Sequence, residues 1–242
     1  MIALIGGSGV YSLEHMTTQV QNVETQWGDV AIQEGRIDGQ AVAFLCRHGD
    51  GHALPPHRIP YRANIAALKA WGATRILATN AVGGIHPATA PGRFIVPHDL
   101  IDYTWGREHS FNDDFSDQLQ HIEFTEPFDQ GMRERLISTL NTLGLNPVTQ
   151  AVYGCTQGPR FETAAEVRRL SRDGCDIVGM TAMPEAALAR EAGMGYASLC
   201  FSVNWAAGLG DAPSQQEIMN LLKAMSGELQ RGVSTLLSAL AQ

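Results

Sequence analysis

The chain has 242 residues, 44% hydrophobic and 17% charged, and a formal net charge of −8. That length suits one large domain or two small ones, and the apolar fraction supports a packed core rather than disorder; the acidic balance argues against a duplex-binding protein with a basic footprint. No apolar run approaches the ~20 residues that cross a bilayer, and the first residues lack a secretory pattern. The four cysteines (Cys46, Cys155, Cys175, Cys200) lie far apart with no CxxC pair, so no disulfide framework is expected and a reducing cytoplasm is the expected setting.

In chain order, Ile2–Ile5 reads as a strand entering the glycine turn Gly6-Gly7-Ser8-Gly9. Ala41–Cys46 is a second apolar run, broken by Arg47-His48-Gly49. A helix follows Pro60, with Ile65 and Leu68 on one face and Gly72 as its stop. Arg75–Thr79 reads as a strand entering the glycine-rich turn Asn80–Gly84, and Phe94–Pro97 and Leu100–Tyr103 read as further strands. The polar stretch Trp105–Gln120 is a loop long enough to carry function. Met132, Leu136, Leu140 and Leu143 recur at helical spacing before Gly144, and Val148–Val152 looks extended. Thr163 and Glu166 make a capping box, and Asp176–Val178 leads into Gly179-Met180-Thr181. Pro184 suits the first turn of the next helix, and Ala197–Val203 is a strand ending at Asn204. Ser214 and Glu217 make a second capping box, opening a helix whose Ile218, Leu222, Met225, Leu229, Val233 and Leu236 share a face. Strands alternate with helices and no repeat or linker interrupts them, which gives an α/β fold in one domain over residues 1–242.

Several strand ends carry small or polar residues, at Gly6–Gly9, Arg47-His48, Asn80-Ala81, Met180-Thr181 and Asn204. Ligands of open α/β sheets bind at the carboxyl ends of strands. Glycine-turn N–H groups, the Ser8 and Thr181 hydroxyls and the Arg47 fork together resemble an anion cradle, although GGSG alone is more often a mere tight turn. A dinucleotide fingerprint fails, because Ser12 stands where the third glycine belongs. His48, His52 and His57 lack a companion ligand set at metal spacing, so no metal is expected.

The motifs GGSG (Gly6–Gly9), RHG (Arg47–Gly49), NAVGGIH (Asn80–His86), GPRFET (Gly158–Thr163), VGMTAMPEAALARE (Val178–Glu191) and SVNWAAG (Ser202–Gly208) run in order through most of the chain. In this arrangement the sequence resembles the trimeric purine nucleoside phosphorylase and methylthioadenosine phosphorylase family. Within that family the wording DYTWGREHS, VYGCTQGPRFET and GMTAMPEAALARE is most similar to the bacterial 5′-methylthioinosine phosphorylases. The resemblance implies a single-domain fold with a mixed central sheet flanked by helices. It also implies a pentosyl transfer in which phosphate attacks C1′ of a purine nucleoside. No cofactor is implied beyond phosphate as co-substrate, and the implied assembly is a homotrimer acting on small molecules, not on nucleic acid or membranes. By motif, phosphate would be held by Ser8, Arg47, His48, Asn80, Ala81 and Thr181. Met180 would pack on the sugar, with Phe161, Trp205 and Ala206 beside the nucleoside. The match to a residue reaching in from a neighbouring subunit falls on His121.

Glu162 and Asn204 speak to the base as the catalytic pair. Adenine-selective relatives carry a small hydroxyl residue and Asp at these positions; Glu with Asn is the pattern of 6-oxopurine enzymes. The chemistry agrees. An ionised carboxylate only accepts, so it pairs with the N1–H of a 6-oxopurine and repels the N1 lone pair of adenine, while an amide can accept from protonated N7 and donate towards O6. Gln215 falls where hydroxyl-reading relatives carry His and methylthio-reading relatives an apolar residue, and fits neither pattern. The overall wording favours 5′-methylthioinosine, with inosine or guanosine as the alternative and methylthioadenosine behind both.

Overall fold

The computed structural model describes residues 1–7, 9–10, 18–112, 121–211 and 215–241. In chain order the strands are β1 (Ile2–Gly6), β2 (Gln19–Val23), β3 (Val30–Ile37), β4 (Gln40–Cys46), β5 (Arg75–Gly84), β6 (Phe94–Ile95), β7 (Asp99–Asp102), β8 (Val152–Cys155), β9 (Ile177–Gly179) and β10 (Gly195–Trp205). The helices are α1 (Tyr61–Trp71), α2 (Gln130–Thr142), α3 (Ala164–Arg172), α4 (Ala182–Glu191) and α5 (Gln215–Ala241).

β1 is buried at every position because helices cover both faces of the sheet. Its alternate side chains divide between two cores. Ala3 and Ile5 join α1 and α4 through Ile65, Leu68, Ala186 and Leu188; Ile2 and Leu4 join α2 and α5 through Leu136, Leu140, Leu229 and Val233. The helix ends follow local chemistry. Gly72 closes α1 at φ 99°, a conformation that costs a residue without Cβ little. Thr163 and Glu166 close the capping box of α3 reciprocally. Met183 keeps a non-helical φ/ψ, so regular helix in α4 begins at Pro184.

The sheet is mixed, in the order β2-β3-β4-β1-β5-β9-β8-β7, with β10 paired to β5 and β6 paired to β10. The pairs β4-β1-β5, β5-β10 and β9-β8-β7 are parallel; β2-β3-β4, β5-β9 and β6-β10 are antiparallel. Several boundaries differ from the sequence expectation. β5 continues through Asn80–Gly84 instead of turning there, because β10 pairs with it from Arg75 to Gly84. β10 likewise continues past Val203 to Trp205. The extended segment expected over Val148–Val152 is strand only from Val152, with Val148 bridging Ile95 alone. The β2–β3 hairpin had no sequence signature, since four of the five β2 side chains are exposed and polar and apolar residues do not alternate cleanly. Ser214, one half of the second capping box, lies outside the described residues.

This register opens a gap in the sheet. Along one edge of β5, β1 pairs only as far as Ala78, and β9 takes over only at Gly83. Between them the sheet splits, leaving Thr79–Val82 unpaired on that edge. Because β9 is antiparallel to β5, the chain leaving it through Met180 and Thr181 runs back along this gap towards the end of β1.

Candidate active site

The split is the floor of a cavity of about 1010 Å³. This is at the upper end of the range for small-ligand sites. Its wall includes Gly7, Arg47, His48, Asn80, Ala81 and Thr181 on one side, and Phe161, Glu162, Met180, Asn204, Trp205 and Ala206 on the other. The structure therefore brings most of the candidate residues to one cavity. His121 is exposed and is not part of the cavity wall of its own chain. Ser8 and the Gln215 side chain lie outside the described residues.

Arg47 is 1% exposed, and its fork is not free. Nε and Nη2 donate to Glu185 Oε2 and Oε1 at 2.7 and 2.8 Å, and Nη1 donates to Thr79 O at 2.8 Å. Three of the five guanidinium N–H groups are thus committed, and the other two have no partner among the described residues. Burial opposes the Arg47 charge, but the charge and hydrogen bonds of Glu185 more than offset this and hold the guanidinium above its ordinary range. Tyr196 Oη donates to Glu185 Oε1 at 2.8 Å, which fixes the carboxylate in turn. The glycine pair has a steric reason. A Cβ at Gly7 would sit 2.6 Å from both Arg47 Nη1 and Thr79 O, and one at Gly6 would sit 2.3 Å from Val10 O. The Gly7 N–H, expected to face an anion, instead donates to Thr79 Oγ1 at 3.1 Å.

His48 Nδ1 lies 2.8 Å from Leu54 O; a carbonyl only accepts, so Nδ1 carries the proton and Nε2 is left as an acceptor. Burial drives the His48 pKa down to about 4, against the Leu54 hydrogen bond and with help from the Arg47 charge and His52. The ring is therefore neutral near pH 7 and lies against that of His52, with centroids 4.1 Å apart. Asn80 acts through its neighbours. Its Nδ2 donates to Thr181 Oγ1 at 2.8 Å and its Oδ1 accepts from Ser198 Oγ at 2.7 Å, so this amide orients the Thr181 hydroxyl.

On the opposite wall, Glu162 does not cap α3, because Glu166 fills that role. Its Oε1 accepts from Thr156 Oγ1 at 2.6 Å. The second oxygen has no such tie among the described residues. Asn204 Nδ2 donates to Trp205 O at 2.6 Å, which fixes the amide and leaves Oδ1 as an acceptor. Ile218, Met219 and Leu222 of α5 add an apolar wall.

Sequence reasoning missed Glu185, Arg107 and this apolar wall. Glu185 carried one signal: a lone carboxylate within the apolar run Ala182–Ala189 needs a buried partner. Ile218 and Leu222 read from the sequence only as part of one apolar helix face, and Met219 carried no signal.

The sequence matches the profile of the Phosphorylase superfamily over residues 1–238. It is 48% identical, over 96% of this chain and 97% of the relative, to a protein of Xanthomonas campestris pv. campestris named probable S-methyl-5′-thioinosine phosphorylase. It is 43% identical to the 6-oxopurine nucleoside phosphorylase of Pyrococcus furiosus, over 94% of this chain and 88% of that one. Among solved structures, methylthioadenosine phosphorylase from Schistosoma mansoni in complex with adenine superposes with a TM-score of 0.92 at 30% identity, covering 99% of this chain and 91% of the other.

Proposed function

Because the chain belongs to the phosphorylase superfamily, we propose that it catalyses phosphorolysis of S-methyl-5′-thioinosine to hypoxanthine and 5-methylthioribose 1-phosphate. The observation that carries the base assignment is Glu162, whose carboxylate lines the cavity with one oxygen held by Thr156 and the other available for the N1–H of a 6-oxopurine. Asn204 Oδ1 is the acceptor for a proton on N7. A site built this way leaves buried groups unpaired with adenine, and so discriminates strongly.

In the reaction a phosphate oxygen bonds to C1′ as the C1′–N9 bond breaks, and that electron pair passes to the purine; the base takes up at N7, through water, the equivalent of the proton that hydrogen phosphate gives up, and so leaves neutral. The two uncommitted N–H groups of Arg47 and the Thr181 hydroxyl hold the anion beneath the sugar, together with Ser8 and the Asn80-Ala81 strand. Neutral His48 accepts from the P–OH of hydrogen phosphate. The anion's charge stabilises the oxocarbenium character of the sugar, and the protein contributes placement and electrostatics rather than a covalent intermediate.

Met180 packs on the sugar, Phe161, Trp205 and Ala206 surround the nucleoside, and Ile218, Met219 and Leu222 suit a methylthio group better than a hydroxyl. Gln215, the first residue of α5, stands three residues before Ile218 of this wall. The location is cytoplasmic, and the assembly is a homotrimer in which His121 serves a neighbouring subunit, consistent with its exposure on its own chain.

The test is kcat/KM with phosphate for methylthioinosine, inosine and methylthioadenosine. Methylthioinosine should lead. A lead for inosine would establish the second reading, a 6-oxopurine nucleoside phosphorylase, which the relative from P. furiosus favours. A lead for methylthioadenosine would overturn the roles given to Glu162 and Asn204. Turnover that persists without phosphate would overturn phosphorolysis.

A further inference from the structure

Arg107 lies in the segment that follows β7 and does not line the cavity. Its guanidinium nevertheless reaches three separate pieces of the site. Nη2 donates to Gln157 O at 2.8 Å and Thr156 O at 3.3 Å, and Nε to Gln157 Oε1 at 3.1 Å. Nη1 donates to Met180 O at 2.9 Å and to Met183 O, and to Tyr61 Oη at 3.1 Å. Tyr61 in turn donates to Pro56 O on the cavity rim, and the Arg107 cation stands 5.5 Å from the Tyr61 ring centroid.

Tyr61 apart, the acceptors fall on two chain segments with different tasks. Parallel β8 and β9 end side by side, Cys155 opposite Gly179, and the chain diverges after them. The branch leaving β8 carries Thr156, which holds Glu162, the cavity residue assigned to the base; the branch leaving β9 carries the cavity residues Met180 and Thr181, assigned to the sugar and phosphate. Diverging strand ends leave carbonyls with no ladder partner, and only a planar group with a fan of donors can satisfy both sets at once.

We infer that Arg107 is a positioning residue that couples reading of the base to placement of the phosphate, by fixing the separation of these two branches. The inference rests on the phosphorolysis reading and specifies how that site is held together. Its predicted signature is thermodynamic. Hypoxanthine and phosphate should each tighten the binding of the other in the wild-type protein, by about 10-fold, and by reciprocity the factor is the same in both directions.

The experiment is calorimetry of hypoxanthine with and without saturating phosphate, on the wild type, Arg107→Ala, Arg107→Lys and the control Glu108→Gln. Glu108 pairs with Arg62 in the same segment without touching either branch. Arg107→Ala should bring the coupling to about 1-fold, guanidinium ion should restore it, and Arg107→Lys should fail to, since an ammonium lacks the planar fork; Glu108→Gln should keep it. If Arg107→Ala does not fold, Gln157→Leu, which removes one Arg107 acceptor outside the cavity wall, should still reduce the coupling. A folded Arg107→Ala protein with wild-type coupling, or an unreduced Gln157→Leu when Ala does not fold, overturns the inference. Loss of coupling in Glu108→Gln overturns it too, since general loosening of the segment would then suffice. Wild-type protein that binds neither hypoxanthine nor phosphate would instead overturn the phosphorolysis reading itself.

Discussion

Replacing Glu185 by Gln removes one charge from a pair that is 1% exposed on both sides. The wild-type carboxylate takes two hydrogen bonds from Arg47 and a third from Tyr196. The amide keeps the volume and one acceptor oxygen, but it turns a donor towards Arg47 and leaves the guanidinium charge buried without a counter-charge. Breaking a buried pair from one side costs about 3–5 kcal/mol, and the retained oxygen places this variant near 3 kcal/mol. For a chain of this size that corresponds to a fall in Tm of about 6–12 °C. The orphaned cation should also become a stronger anion trap. Saturating phosphate would then raise the Tm of Glu185→Gln by more than it raises that of the wild type, because a ligand that binds the native state stabilises it in proportion to affinity. Thermal unfolding with and without phosphate measures both effects. A loss below about 1 kcal/mol would refute the buried-pair account. An equal phosphate shift in the two proteins would refute the claim that Glu185 neutralises the cradle.

Three further outcomes follow from the geometry. The His48 pKa, depressed to about 4, means that the unfolded chain takes up a proton first; this contribution to stability is present above the ordinary histidine value of about 6.5 and is lost as pH falls towards 4. Its full size is discounted to about 2 kcal/mol because the ring borders an open cavity, and His48→Asn should flatten the pH 4–7 stability profile of phosphate-free protein by that amount; superimposable profiles would contradict it. Burial raises the Cys155 and Cys200 thiols to about 12 and Cys175 to about 11, so a thiol-disulfide reagent at pH 8 should titrate at most one cysteine, Cys46, before denaturant and four after it. Met219→Gln should lower kcat/KM for methylthioinosine about 10-fold and for inosine far less, whereas equal losses would separate Met219 from the 5′ substituent.

What the sequence alone could determine was what depends on neighbours along the chain. The stop of α1 at Gly72, the capping box Thr163–Glu166 and the start of regular helix at Pro184 are local steric and hydrogen-bonding facts, legible without tertiary context. The long apolar stripe of α5 was legible for the same reason, and Leu222, Met225, Leu229, Val233 and Leu236 are buried. Polar residues at strand ends pointed to the right places because ligands gather where strands stop.

Tertiary structure decided the rest, because it depends on pairings between distant residues that no local pattern encodes. Register placed the split in the sheet: β1 leaves β5 at Ala78 and β9 joins at Gly83, so residues expected to form a turn became a strand edge facing a cavity. Arg47 was visible as a cation, but its restraint by Glu185, 138 residues away, was not. Arg107 gave no signal within its polar stretch, since most of its acceptors are backbone carbonyls 49 to 76 residues further along the chain. Apolar spacing likewise marked Ile218 and Leu222 as one helix face, and only packing placed that end of α5 between the core and the cavity.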